Sequence, residues 1–167
     1  MNLSLRPASA HDADLVYGIK HEAYADYAIK AYGSWEEEPQ RGYILRNLRF
    51  TRLILVDGAV VGWIAADTGA SAVDIADVQI LPVHQRRGYG TEAIGIVLRE
   101  AFAAGKAVTL GVLKNNPARS LYDRIGFTVI GATQTHFLMR LPSQPSEPTI
   151  PPGTPPARGE SRPPQGG

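Results

Sequence analysis

The stretch His84–Ala93, HQRRGYGTEA, places two arginines and two glycines where an apolar, strand-like run gives way to a helical pattern. A helix start leaves backbone N–H groups without partners and carries partial positive charge. Glycine at such a start lets a phosphate approach those donors closely. Gly88 and Gly90 remove side chains there, while Gln85, Arg86 and Arg87 add donors and charge. The spacing leaves two readings open: a cradle for a diphosphate, or a tight strand-to-helix turn with solvated arginines. Two other phosphate motifs are excluded. The chain has no GxxxxGK[ST], and GYGTEAIG does not satisfy GxGxxG.

A second constellation is LKNNPARSLYDRIGF, Leu113–Phe127. Pro117 suits the first helical position, which makes Asn116 the N-cap and leaves Asn115 at the strand end, where α/β sheets bind ligands. Ala118, Leu121, Tyr122 and Ile125 recur at i, i+3, i+4 and i+7, one helical stripe. Taken alone, Tyr122 is an ordinary tyrosine at the edge of a core. Gly126 fits a left-handed helix cap, with Phe127 packing back.

These groups need a scaffold, and the hydrophobic pattern supplies one. Leu3–Ala8 is predicted as a first strand, followed by a helix with Leu15, Val16, Ile19 and Ala23 on one face. SWEEEPQRGYILRNLRF is predicted as a second helix, with Ser34 and Glu37 as a capping box. Two apolar runs around Asp57-Gly58 predict a hairpin with a primed turn. SAVDIADVQILP is a strand ended by Pro82. The helix from about Gly88 carries Ile94, Val97, Leu98, Ala101 and Phe102 on one stripe. AVTLGVL, the short Tyr122 helix and two closing strands complete the order β-α-α-β-β-β-α-β-α-β-β, a mixed α/β sheet with helices on its faces.

The 167 residues suit one domain. A formal net charge of +1 argues for neither a nucleic-acid binder nor a membrane-surface protein. There are no cysteines, which removes disulfides, thiolate metal sites and a cysteine nucleophile; no metal site is expected. The first residues do not form a secretory signal and no run is long enough to span a bilayer, so a cytoplasmic protein is expected. From Pro142 to Gly167 proline, glycine and serine dominate, and Ile150 is the one sizeable apolar side chain. That composition predicts a folded domain over 1–141 and a disordered, partly polyproline tail over 142–167, whose PSEP and PTIP fit a PxxP spacing.

ILPVHQRRGYGTEAI resembles motif A of the GNAT N-acetyltransferase superfamily, [QR]-x-x-G-x-[GA] after the fourth strand, with Gln85, Gly88 and Gly90 in its fixed positions. NNPARSLYDRIGF resembles the family's next motif, an Asn before a helix and a Tyr within it before GF. The resemblance implies a GNAT-like fold with a splayed central sheet and acetyl-CoA as co-substrate. It implies that the amides of Arg86, Arg87, Gly88, Tyr89, Gly90 and Thr91 bind the diphosphate of CoA, beside Gln85. It implies too that the end of the fourth strand, around Val78 to Leu81 and including Ile80, pairs with pantetheine, that Asn115 and Ser120 touch the cofactor, and that Tyr122 is the general acid.

For the general base the sequence offers Asp77, which shares a strand face with Gln79, and Glu38 at the start of the second helix, which borders the acceptor site in this family. Glu36 and Glu37 accompany Glu38, and Glu22 is a further candidate. Acids in a first helical turn also simply favour the helix dipole. If these acids line the pocket, the acceptor is a small cationic amine. His84, His136, Trp35 and Trp63 are read as surface or packing groups. Two rival functions are a non-catalytic acyl-CoA sensor of the same fold and an RNA- or protein-directed acetyltransferase, the RNA reading resting on a patch of Arg41, Arg46, Arg49 and Arg52 with Arg86 and Arg87. A homodimer is possible.

Overall fold

The computed structural model describes residues 1–143. The part of the expected tail from residue 144 onward lies outside the described residues. Strands β1 (Leu3–Pro7), β2 (Thr51–Val56), β3 (Ala59–Thr68), β4 (Ala72–Ile80), β5 (Ala107–Leu113), β6 (Thr128–Ala132) and β7 (His136–Leu141) form one sheet in the order β1-β2-β3-β4-β5-β7-β6. Helices α1 (Ala13–Tyr32), α2 (Glu37–Asn47), α3 (Tyr89–Ala103) and α4 (Ala118–Ile125) complete the expected element order.

The sheet is covered on both faces, and strand alternation divides its side chains between two cores. Leu53, Trp63 and Ala65 join Val16 and Ile19 of α1 and Ile44 of α2. Ile54, Ile64, Val73 and Ile75 join Ala93, Ile94 and Val97 of α3 and Tyr122 of α4. Trp63 is buried and its indole N–H donates to the Val16 carbonyl at 3.0 Å, so it is a packing group with its polar atom satisfied.

Local chemistry explains the turns. Asp57 (φ 49°) and Gly58 (φ 85°) both take positive φ, the signature of the primed hairpin turn between β2 and β3. Gly126 caps α4 at φ 113°. Two expectations change. The second helix starts at Glu37, not after Ser34, and Ser34 caps nothing there. Pro39 is the cause. Counted from Ser34 it would stand where its N–H is needed and its ring would strike a carbonyl one turn back; counted from Glu36 it falls among the first donors, which have no helical partner. On α1 the buried residues are Val16, Ile19, Lys20, Ala25 and Ala28, while Leu15 is 43% exposed.

The decisive irregularities lie in β4. Its pairing with β3 runs Ala65↔Asp77 and then Ala66↔Ile75, so Ala76 is a bulge. Its parallel pairing with β5 stops at Ile75↔Leu110. Beyond that point β4 continues on β3 and β5 continues on β7, and the two strands part.

Candidate active site

Two cavities flank the gap between β4 and β5. One, of about 620 Å³, lies over the start of α3 and is lined by Gln85, Arg86, Gly88, Gly90 and Thr91, with Ile80, Tyr24 and Arg124 among the opposing walls. The other, of about 470 Å³, lies toward α2 and is lined by Lys20, Tyr43, Arg46, Asp77 and His136. Val78, Gln79, Asn116, Ala118, Tyr24 and Tyr122 line both. Tyr122 therefore stands where the two spaces meet. A third depression, of about 380 Å³, lies at Arg49, Arg52 and Lys106, lined by none of these residues; Arg52 is paired there with Glu100 at 2.9 Å.

The first cavity has the features of an anion cradle. The first bond of α3 runs from Glu92 N–H to the Gly88 carbonyl, so the amides of Tyr89, Gly90 and Thr91 precede the helical ladder. Arg86 (φ 62°) and Gly88 (φ 82°) both take left-handed backbone, costly for arginine, and that geometry turns successive amides toward one concavity. A Cβ on Gly90 would stand 3.6 Å from Ile80 Cγ1, filling space that the glycine leaves open. The donors, the bare backbone and the two guanidiniums of Arg86 and Arg124 fit a diphosphate.

Of the other residues expected at the cofactor, Gln85 lines this cavity and Leu81, Arg87, Asn115 and Ser120 do not. Leu81 lies outside the cavity: its N–H completes the ladder to Val61 at 2.9 Å and its side chain packs with the α1–α2 core. The Ile80 carbonyl accepts from Gln85 Nε2 at 2.9 Å, so the side chain of Gln85 braces the strand end. Asn115 is exposed and its amide reaches the Tyr27 carbonyl at 3.4 Å; its neighbour Asn116 lines both cavities, and its Oδ1 accepts from Ala118 N–H at 2.9 Å, although the N-cap of α4 is Pro117 rather than the expected Asn116. Ser120 falls off the cavity-facing stripe of α4 and is exposed, as is Arg87.

Tyr122 is 9% exposed, and its ring meets Phe127 edge-on at 6.0 Å between centroids. Its hydroxyl makes no hydrogen bond among the described residues. Burial, reinforced by the negative charge of Asp77, pushes its phenol up to about 12. The same two causes raise Tyr24 and Tyr43.

Asp77 is not a free carboxylate. Its Oδ2 accepts from Lys20 Nζ at 2.8 Å and its Oδ1 from Gln79 Nε2 at 2.7 Å. Lys20 is buried and also lies 3.9 Å from the centre of the Tyr43 ring. The Tyr43 hydroxyl is in turn donated to the carbonyl of the bulge residue Ala76 at 3.2 Å. Glu38 lies outside the cavity: it is exposed in the first turn of α2, as are Glu36 and Glu37, and Glu22 is exposed on α1. Glu37 pairs with Arg41 at 2.8 Å. Of the acids that pointed to a cationic acceptor, the four glutamates do not line the pocket, and Asp77, which does, is already paired with Lys20. Arg41 and Arg52 are both paired, which breaks up the expected arginine patch.

His136 does reach the second cavity. Its Nδ1 lies 2.8 Å from Thr135 Oγ1, and burial lowers its pKa. Sequence reasoning missed Lys20, Tyr24, Tyr27 and Arg124, and it read Arg46, which lines the second cavity, as part of a basic patch. Lys20, Tyr24 and Tyr27 recur at helical spacing on α1, a signal beside the apolar stripe.

The family profile described as the acetyltransferase (GNAT) family matches residues 14–127, more than half of the chain. The chain belongs to the GNAT acetyltransferase family. GNAT enzymes use acetyl-CoA as co-substrate. The [ribosomal protein bS18]-alanine N-acetyltransferase of Haemophilus influenzae is 22% identical over 129 residues, 77% of this chain and 83% of that protein. Among solved structures, the PaiA N-acetyltransferase of Thermoplasma acidophilum, in complex with coenzyme A, superposes with a TM-score of 0.68 at 16% identity, covering 85% of this chain and 99% of that one. The ribosomal-protein-S18-alanine N-acetyltransferase of Escherichia coli gives 0.67 at 16% identity, covering 89% and 99%. These GNAT folds share the mixed sheet described above. Among the described residues no helix is long and apolar enough to cross a membrane.

Proposed function

We propose that this GNAT protein transfers acetyl from acetyl-CoA to a small primary amine held in the second cavity, with Tyr122 as general acid. The observation that carries the reading is the meeting of two cavities at Tyr122, through the gap where β4 and β5 part. The amides of Tyr89, Gly90 and Thr91, with Arg86 and Arg124, hold the diphosphate. Acetyl-CoA supplies a thioester, an acyl group already activated for attack.

The residues of the chain handle the protons. As the C–N bond forms and the C–S bond breaks, the amine loses one proton and the departing sulfur needs one. Tyr122 keeps its phenolic proton through neutral pH and gives it to the sulfur. Asp77, with both oxygens engaged, anchors Lys20 and Gln79 rather than taking the amine proton. His136 takes it, directly or through water, because its lowered pKa keeps the imidazole neutral.

The test is Tyr122→Phe. Its expected kcat is lower by roughly one to three decades, with saturable acetyl-CoA binding retained. Unchanged turnover removes Tyr122 from the mechanism, and binding without turnover in the unmodified protein favours a sensor.

A further inference from the structure

The acceptor cavity offers little to a substrate cation. A buried ammonium is welcomed by a carboxylate or by an aromatic face. Here Lys20 takes the one carboxylate of the lining and the face of Tyr43. Its Nζ lies 2.8 Å from Asp77 Oδ2 and 3.9 Å from the centre of the Tyr43 ring, with Tyr24 at 5.2 Å. The remaining Asp77 oxygen belongs to Gln79. Lys20 and Asp77 cancel, and the third charged residue of the lining is Arg46.

Arg46 makes no ion pair among the described residues. It sits in the last turn of α2, and its Nη1 lies 3.2 Å from where a Cβ on Gly42 would stand. The guanidinium thus folds back one turn over a position that carries no side chain, toward Pro39 and Gln40 of the same cavity wall. The lining therefore carries one positive charge without an ion-pair partner among the described residues, on the exposed side chain of Arg46.

Building on the acetyltransferase reading, we propose that the acceptor is a small amine bearing its own carboxylate, an amino acid in chemical class, with the carboxylate on Arg46 and the amine toward Tyr122. A guanidinium suits a carboxylate by geometry as well as charge.

The experiment compares amino acids with the amines left when the carboxylate is removed, and with linear diamines, by thiol release from acetyl-CoA. The expected kcat/KM is at least about tenfold higher for each amino acid than for its decarboxylated partner. Arg46→Gln brings that ratio toward one through KM, Arg46→Lys restores part of it, and Arg49→Gln, at the third depression, leaves it unchanged. Diamines or simple amines that equal the amino acids, or a ratio that survives Arg46→Gln, overturn the proposal. So does saturable acetyl-CoA binding with no turnover of any amino acid, an outcome that leaves the cofactor cradle standing. Absence of acetyl-CoA binding overturns the acetyltransferase reading as well.

Discussion

Lys20 and Asp77 show how one contact redirects the chemistry of a residue. A carboxylate on a cleft wall is an obvious base until a buried ammonium stands 2.8 Å away. Removing two charges from water is costly, and the geometry must offset that cost. Here the second carboxylate oxygen and the Tyr43 face complete the set. The base proposed in its place is His136, and pH tests that role. Burial lowers the pKa of His136 from its ordinary value of 6.5. The imidazole is therefore neutral at pH 7 and is lost as a base only as pH falls below that value. The expected acid limb that it sets in kcat lies below pH 6.5 and disappears in His136→Gln. A limb of the same position in the variant assigns it to another group.

At the scale of elements, the end of β4 decides the site. Val73 and Ile75 face the α3 core, and strict alternation would send Asp77 there too. The bulge at Ala76 turns the strand over, so Asp77 meets Lys20 on α1. The same strand end is held against β3 by a glycine. A Cβ on Gly62 would collide with the Gln79 carbonyl and stand 2.8 Å from Ile80 Cδ1. Gly62→Ala must therefore push β4 outward, at a cost of about 1–3 kcal/mol. Denaturant unfolding is expected to show that loss, and the KM for acetyl-CoA is expected to rise because Ile80 lines the cradle. A variant as stable as the parent means that β4 moves without cost. Nothing in the sequence marks Gly62, because its need arises from a neighbouring strand.

Across the whole molecule, the space between the two cores is walled by phenols. Tyr24, Tyr43 and Tyr122 are all raised, chiefly by burial and then by Asp77, Tyr122 to about 12. A group whose folded pKa is raised stabilises the fold fully below its unfolded value and loses that contribution as pH climbs through the folded one. Free phenols ionise near 10, so the loss begins at about pH 10 and is expected to be complete for Tyr122 above about 12. Tyrosinate absorbance is expected to rise together with loss of near-ultraviolet circular dichroism. Ionisation of these three phenols well before unfolding contradicts their burial.

What short-range rules govern was legible in the order of the residues. Periodicity set the element order, Asp57-Gly58 set the hairpin, and the glycines after Gln85 set the open turn that leads into α3. These depend on residues within a turn or two of one another. Tertiary structure alone decided that Asn116 rather than Asn115 lines the cleft, that Glu38 stays in solvent, and that Lys20 occupies Asp77 from 57 residues away. The physical reason is range. Helix caps and turns are fixed by local backbone chemistry, whereas a side chain's charge partner and its face toward a cavity depend on which distant strand bulges and which helix packs on it.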